Sequence, residues 1–396
     1  MECPVEPYTF MAERRPALAH WQAMDELQSR ARPMLRTDEA QGYWVATDAE
    51  AILEGLQNPE VFSSAAIVPT EPNPPVALLP IMLDPPQHTK WRKVLGSYFS
   101  PGRVEKQAEA QRAFARELIE DFRAKGECDF YADFAEVFPT TIFLQILGLP
   151  IEHLPRFLDW ERKILHATEE TDPGRVQAVT AMMEVVGYFA GVIAEKRADP
   201  SLLADDIVSH ALEWQIDGEK PGDQDLLSCM LLLFMAGLDT VAAQLSYAFH
   251  HLARHPADRA PLVADPSIAP DMVEEFLRVH PIVQLARKAT RDVELHGCPV
   301  AAGDMVAFPL GMAGRDPNVY PDPTEFRLGR EVTRHISFGA GPHRCLGSHL
   351  ARQELTIVLQ EWHALIPDYE ISDESRVLEH AGGVYSIEEL PLRWNV

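Results

Sequence analysis

The sequence predicts a mainly α-helical protein with a small β region. Three observations carry that expectation: several segments place apolar residues at helical spacing, one long run is apolar on nearly every side, and short β-favouring pieces separated by glycine turns gather beyond Pro281. Segments 104–125, 151–168 and 175–197 show the helical spacing, with charged residues between the apolar ones. Val68 to Pro86 holds seven prolines and little periodicity, which marks an extended loop able to wall a pocket. Asp225 to His255 is expected to form one central buried helix; Asp239 and Thr240 interrupt its apolar stretch, which argues against a membrane span. Beyond Pro281, DVELHGCPV and DMVAFPL read as short hairpins.

Composition limits the partners. The chain has 396 residues, 46% of them hydrophobic, enough for a large core, and its 35 basic against 60 acidic side chains leave a net charge of -25. Such a charge favours solubility and opposes a nucleic-acid partner held by its phosphates. The start, MECPVEPYTFMAERRP, has no apolar run of the kind a secretion signal or membrane anchor needs, so a cytoplasmic protein is expected. Cys3, Cys128, Cys229, Cys298 and Cys345 form no CxxC pair and are odd in number. Neither a disulfide framework nor a structural zinc site is suggested, and most are expected to be buried thiols.

Cys345 stands in unusual company. It follows a loop with Gly339, Gly341 and Pro342 and precedes the helical pattern LGSHLARQELTIVLQEW. The start of a helix supplies free amides and a positive dipole end that favour a thiolate, and glycines let backbone amides come close to sulfur. Read alone, a cysteine in this setting is more commonly structural or nucleophilic than a metal ligand. The full pattern Phe338-x-x-Gly341-x-x-x-Cys345-x-Gly347, however, resembles the haem-binding signature of the cytochrome P-450 family.

Two further marks of that family follow the same order along the chain. Glu275-Phe-Leu-Arg278 is an i, i+3 pair that by itself means only local helix stabilisation, yet it resembles the family's ExxR element, with Arg330 as the third partner. Ala236-Gly-Leu-Asp239-Thr240 resembles the family's oxygen-side helix motif. The threonine could simply return its hydroxyl to the preceding turn, whereas an ionisable Asp239 in an apolar helix is costly and points to function. LDPPQHTKWRK, AEVFPTTIFLQILGLP, AGLDTVAAQLS, PDYEI and the ending LPLRW are similar to segments of the bacterial camphor hydroxylase branch.

The resemblance implies a single-domain triangular prism over residues 1–396, with no reductase domain or membrane anchor, binding haem b (heme, iron protoporphyrin IX) through Cys345. It implies cofactor contacts from Ala236, Phe338 and Gly339, and propionate donors from His88, Arg92, Arg287 and His343, although the camphor branch does not hold histidine at position 88. Leu285 stands where that branch has an aspartate, so this part of the haem edge is expected to differ. Thr240 is the expected hydrogen-bond partner of the oxygen being activated, and Asp239 the relay of its protons. The implied reaction inserts one atom of O2 into a C–H or C=C bond of an apolar small molecule. Electrons are expected from NAD(P)H through a 2Fe–2S ferredoxin and its reductase, docking near Arg92, Arg344 and Arg352. Val76 falls where the camphor branch has a tyrosine anchor; with Leu232, Met235 and Val283 it implies an apolar pocket suited to a terpenoid, steroid-like or aromatic substrate. Alternatives are a peroxide-using or non-oxygenating haem-thiolate enzyme, or a non-catalytic haem sensor.

Overall fold

The structure, a computed structural model, describes residues 3–30, 32–332 and 334–396. The N-terminal part runs β1 (Ala12–Pro16), α1 (Ala19–Arg30), β2 (Met34–Thr37), β3 (Tyr43–Ala46), α2 (Ala49–Gln57) and β4 (Phe62–Ser63). Asp48 starts α2 by accepting a hydrogen bond from the Ala51 amide, an N-cap. From Ser64 to Pro86 there is neither helix nor strand, in keeping with the proline-rich sequence.

Helices dominate the middle: α3 (Gln87–Leu95), α4 (Pro101–Glu105) and α5 (Ala108–Arg123), then β5 (Glu127–Asp129) and a π-helical turn at Tyr131–Ala135. They continue as α6 (Val137–Leu147), α7 (Leu154–Leu165), α8 (Val176–Ala198), α9 (Ile207–Ala211), α10 (Asp223–Gly237) and α11 (Asp239–Arg254). The remainder is α12 (Pro256–Ala264), α13 (Ala269–Val279), β6 (Gln284–Ala289), β7 (Val293–Leu295), β8 (Cys298–Val300), β9 (Met305–Pro309) and α14 (Leu310–Gly314). Last come α15 (Ser348–Leu365), β10 (Glu370–Ile371), β11 (Leu378–Ala381), β12 (Ser386–Ile387) and β13 (Pro391–Arg393).

The expected helices are present, with altered bounds. Segment 104–125 divides where the Gln107 amide bonds the Val104 carbonyl at 3.0 Å, a tightened turn between α4 and α5. The central helix is two helices, interrupted at Leu238 (φ -94°, ψ -63°). Gly237 is the weak helix former at the break, and a Cβ there would collide with the Phe143 ring, so close packing against α6 demands glycine. The proline-rich loop lies against α10: the Leu79 amide donates to Ser228 Oγ at 3.2 Å, and Ser228 Oγ donates to the Ala77 carbonyl.

The sheet that positions the site has strand order β2-β3-β9-β6-β4, with β3 and β9 parallel and the other neighbours antiparallel. DMVAFPL thus enters a five-stranded sheet, while DVELHGCPV forms the expected hairpin β7–β8. Its turn residues His296 and Gly297 both have positive φ (47° and 85°), as a two-residue hairpin turn of this hand requires. Cys298 on β8 is joined to Cys3 in a disulfide, which corrects the expectation of unpaired thiols. A separation of 295 residues leaves no spacing pattern from which that pairing could be read. Cys128 and Cys229 are buried free thiols.

The core is aromatic where α11 meets α15 and the π turn. Phe130 stacks on Phe249 with centroids 4.0 Å apart, and Trp362 meets both rings edge-on at 5.1 Å. Two helical stretches are long and apolar enough to cross a membrane, Pro173–Ala198 and Asp223–Arg254; the second is largely buried in this core.

Candidate active site

The loop between Ile336 and α15 is folded around Cys345. Its amide donates to the Phe338 carbonyl at 2.7 Å, and the Gly339 amide donates to the Ile336 carbonyl at 2.7 Å. Gly339 and Gly341 have φ of +73° and +67°, and a side chain at Gly341 would strike the Leu56 carbonyl. The thiol is accessible yet densely surrounded. Burial lifts its pKa above the ordinary thiol value, against the lowering effects of the Gly347 amide and of Arg92, Arg344 and Arg352. The helix start therefore does not make a thiolate unaided; coordination by a metal would remove that proton outright.

Behind this loop lies a fixed frame. Glu275 Oε2 accepts from Arg278 Nε at 2.7 Å; its Oε1 accepts from Arg278 Nη2 at 2.8 Å, Arg330 Nε at 2.7 Å and the Arg327 amide at 2.9 Å. Arg278 also bonds the carbonyls of Gly314, Pro323 and Glu325, and Arg330 those of Pro321, Asp322 and Glu325. Burial alone would raise the Glu275 pKa, but the two guanidinium groups hold it below the ordinary range. Ser337 Oγ donates to the Leu277 carbonyl at 2.6 Å, tying the loop to α13. Next to it, Arg352 bonds Glu274 at 2.5 and 2.9 Å and lies over the Phe338 ring at 4.5 Å, so its charge is committed to Glu274.

On another side, four nitrogen-rich side chains converge. His88 and Arg92 lie one turn apart on α3, Arg287 is on β6, and the His343 ring lies 3.9 Å from that of His88. His343 Nε2 is 3.0 Å from Ser64 Oγ, and Arg92 donates to the Arg344 carbonyl at 2.5 Å. Burial, reinforced by their mutual charges, lowers the pKa of His88 to about 4 and that of His343 to about 3. Burial lowers that of Arg287, which is only 3% exposed, to about 10. Its side chain donates to the Ala286 carbonyl, and among the described residues no carboxylate pairs with it. His88 Nδ1 is buried with no partner. Buried cations and donors without an acid are costly, so this cluster is built to receive an anion.

Across the fold, the accessible face of the central helix is Leu232, Met235, Ala236 and Thr240, one stripe at i, i+3, i+4 and i+8. Thr240 Oγ1 donates to the Ala236 carbonyl at 3.2 Å. Asp239, 1% exposed, faces away from that stripe's solvent: its Oδ1 lies 3.1 Å from His166 Nε2. Val283 is partly buried and bridges to Val384, and Leu285 lies 3.9 Å from the Cβ position of Gly339. Val76 is 57% exposed on the proline-rich loop, apart from these residues in the described contacts.

The structure thus gathers Cys345 with Arg92 and Arg344, His88 with Arg287 and His343, and Glu275 with Arg278 and Arg330. Sequence reasoning missed Ser64, Glu274, the His335 ring whose Nε2 lies 3.0 Å from Glu274, and the His166 partner of Asp239. None carries a spacing signal; they meet their partners from distant segments.

A cysteine at a helix start, an anion-receiving cluster beside it and a helix with an accessible, mainly apolar face together suit a haem-thiolate protein. Comparison with known proteins agrees. The cytochrome P-450 family model matches residues 19–260 and 267–366. The chain is 33% identical to probable cytochrome P-450 127A1 of Sinorhizobium fredii, over 90% of this chain and 85% of that one. It is 30% identical to a steroid C26-monooxygenase of Mycolicibacterium smegmatis, over 89% and 87%. The crystal structure of CYP101J2 superposes with a TM-score of 0.88 at 32% identity, covering 99% and 97% of the two chains. The chain belongs to the cytochrome P-450 family and is a monooxygenase of that family, a haem oxidoreductase that takes O2, a small-molecule substrate and electrons from redox partners.

The residues fit the cofactor. Cys345 would hold the iron through its sulfur, and the Arg92 and Arg287 guanidinium groups, with neutral His88 and His343 as further donors, would hold the two propionates. Bound haem supplies the redox-active iron at which O2 is reduced and split.

Proposed function

We propose that this enzyme hydroxylates, or at a double bond epoxidises, an apolar terpenoid, steroid-like or aromatic molecule. The observation that carries this reading is the apolar stripe of Leu232, Met235 and Ala236, flanked by Ser228 and Thr240, whose hydroxyls are both committed to carbonyls. Such a wall holds a substrate by shape. Val283, and Val76 when its loop closes on the ligand, complete the apolar lining. The steroid activity named for the mycobacterial relative supports the steroid-like member of this class.

In this reading Cys345 would hold the haem iron, Ala236, Phe338 and Gly339 would contact the cofactor, and Arg92, Arg287, His343 and His88 would bind its propionates. Glu275, Arg278 and Arg330 keep the sulfur loop in place. Asp239 and Thr240 form the acid and the alcohol that handle protons on the oxygen side, and Thr240 must turn from the Ala236 carbonyl to do so. Residues 1–396 act as one haem domain. Electrons come from NAD(P)H through a 2Fe–2S ferredoxin and its reductase, and Arg344, which among the described residues has no acidic partner, is the cation near Cys345 for that docking. A cytoplasmic placement is supported by the charge of -25; the Cys3–Cys298 bond runs against it, since cytosolic thiols are kept reduced.

The test is a panel of terpenes, steroids and alkylbenzenes added to the ferric protein, scored by the Soret shift that accompanies displacement of water from iron, then incubated with NADH, ferredoxin and reductase. Binding of apolar members followed by products one oxygen heavier is expected. Preference for charged or hydrogen-bonding ligands would overturn the substrate reading.

A further inference from the structure

Asp239 does not stand alone in the core. His166, just past the end of α7, presents Nε2 to Asp239 Oδ1 at 3.1 Å, while its Nδ1 lies 3.2 Å from Glu388 Oε1. Glu388 continues the line: His380 Nδ1 is 2.8 Å from the same oxygen, and Arg14 Nε donates to Oε2 at 2.7 Å. A cavity of about 480 Å³ reaches this line from the surface, lined by Arg14, Tyr131, Arg162, Lys163, His166 and Glu388. One imidazole therefore touches the buried acid on one edge and a solvent-accessible cavity on the other.

The surroundings fix its charge. Facing His166 are Asp239 from α11, Glu161 and Arg162 from α7, Glu136 before α6, Tyr131 from the π turn, and Glu388 and His380 from the C-terminal segment. Glu136 is paired with Arg162 at 2.8 Å and Glu388 with Arg14, and among the described residues His166 is the basic side chain hydrogen-bonded to Asp239. Glu161 is buried with both carboxylate oxygens unpartnered, and its donor atom, that of His166 and that of Asp239 lie within 4.8 Å of one another. Burial opposes a charged imidazole, but the charge and hydrogen bond of Asp239, then Glu388 and Glu161, outweigh it and lift the His166 pKa to about 9. Burial pushes the Glu161 pKa well above the ordinary carboxylate value. The imidazolium then persists through neutral pH and is lost as pH rises through about 9.

We propose that His166 is the positioning residue and immediate proton donor for Asp239, replenished from the cavity beside Arg14 and Glu388. This rests on the reading of Asp239 and Thr240 as the acid and alcohol of the oxygen side. In the step, one proton passes from Nε2 of the imidazolium to Oδ1 of Asp239, leaving a neutral ring and a neutral carboxylic acid. A proton from solvent water entering the cavity restores the cation, and no electron moves. Successive residues of an α-helix point about 100° apart, so the Asp239 carboxylate faces His166 beyond α7 while Thr240 stays on the accessible stripe.

Two measurements on the haem-loaded protein test it. Histidine-selective ¹³C NMR of the diamagnetic ferrous carbon monoxide form follows the His166 titration in wild type and in Asp239→Asn. Oxygen uptake with NADH, a bacterial 2Fe–2S ferredoxin and its reductase, without added substrate, is recorded against pH for wild type, Asp239→Asn, His166→Gln and His166→Lys, each checked for its carbonyl band. The expected results are a His166 titration near pH 9 that moves clearly down in Asp239→Asn, where burial is opposed by the weaker effects of Glu388 and Glu161. Uptake by His166→Gln falls about tenfold or more at pH 7, within the range for a positioned general acid, and His166→Lys recovers most of it. An ordinary His166 titration that ignores Asp239→Asn, or wild-type uptake and pH profile in His166→Gln, overturns the inference and leaves Asp239 its role. Unchanged uptake in Asp239→Asn overturns the acid–alcohol reading, and the inference with it.

Discussion

Replacing Glu275 by glutamine removes one negative charge that two guanidinium groups share. Arg278, fully buried, loses the one carboxylate that bonds it among the described residues, and Arg330 loses its charged partner; the glutamine amide would in addition point a donor at other donors. Breaking a buried pair in this way costs about 3–5 kcal/mol, because the surviving charge stays out of water. For a chain of 396 residues, an unfolding entropy of about 2.1 cal/mol/K per residue makes each kcal/mol worth about 1.2 °C, so the apparent Tm should fall by about 4–6 °C. The assay is thermal loss of the red-shifted ferrous carbonyl band that marks thiolate ligation, since the network holds the segment leading to Cys345. The exposed pair Glu325–Arg327 is the control, and Glu325→Gln should move Tm by no more than about 1 °C. The pH dependence has a definite sign. Glu275 is held below its ordinary value of 4.5, so its stabilisation is complete above that pH and is lost as pH falls through the depressed value. A Glu275→Gln protein that melts with wild type at pH 7 would refute the reasoning.

Cys345→His should abolish the red-shifted carbonyl band seen in wild type and give a histidine-type spectrum or none; a retained band would place the sulfur ligand elsewhere. Arg287→Ala should speed haem transfer to apomyoglobin about 10-fold or more, the equivalent of one charge-assisted hydrogen bond, whereas an unchanged rate would remove Arg287 from the propionate cluster. Thr240→Ala should keep haem but divert NADH electrons to hydrogen peroxide once a substrate is in hand, and unaltered coupling to product would end its assignment. Thiol titration of the denatured, unreduced protein should count three free cysteines, rising to five after reduction, while five before reduction would show Cys3 and Cys298 unpaired.

Much of the site was legible because its pieces are local. The glycines and cysteine of Phe338–Gly347 lie on one turn, Glu275 and Arg278 on one helical turn, and Ala236 to Thr240 on the next stretch of a helix whose apolar run predicts burial. Spacing of this kind is set by backbone geometry, so it survives in one dimension. His88 with Arg92 belongs to the same class. The mainly helical character and the β7–β8 hairpin followed for the same reason, from periodicity and from a His-Gly turn.

What only the tertiary structure decided concerns partners from remote segments. His166 meets Asp239 across 73 positions, Arg92 meets the Arg344 carbonyl across 252, and Cys3 meets Cys298 across 295. The break at Leu238 is of the same origin: the strand of residues reads as one helix, and the Phe143 ring pressing on Gly237 from α6 is what only packing supplies. The charge of a buried group is likewise not a property of its residue type. Burial acts to lower both His166 and His343, yet His166 is lifted to about 9 because carboxylates face it, whereas His343 falls to about 3 because guanidinium groups add to the burial, so the sequence determined which groups can titrate and the folded surroundings determined which of them hold a proton.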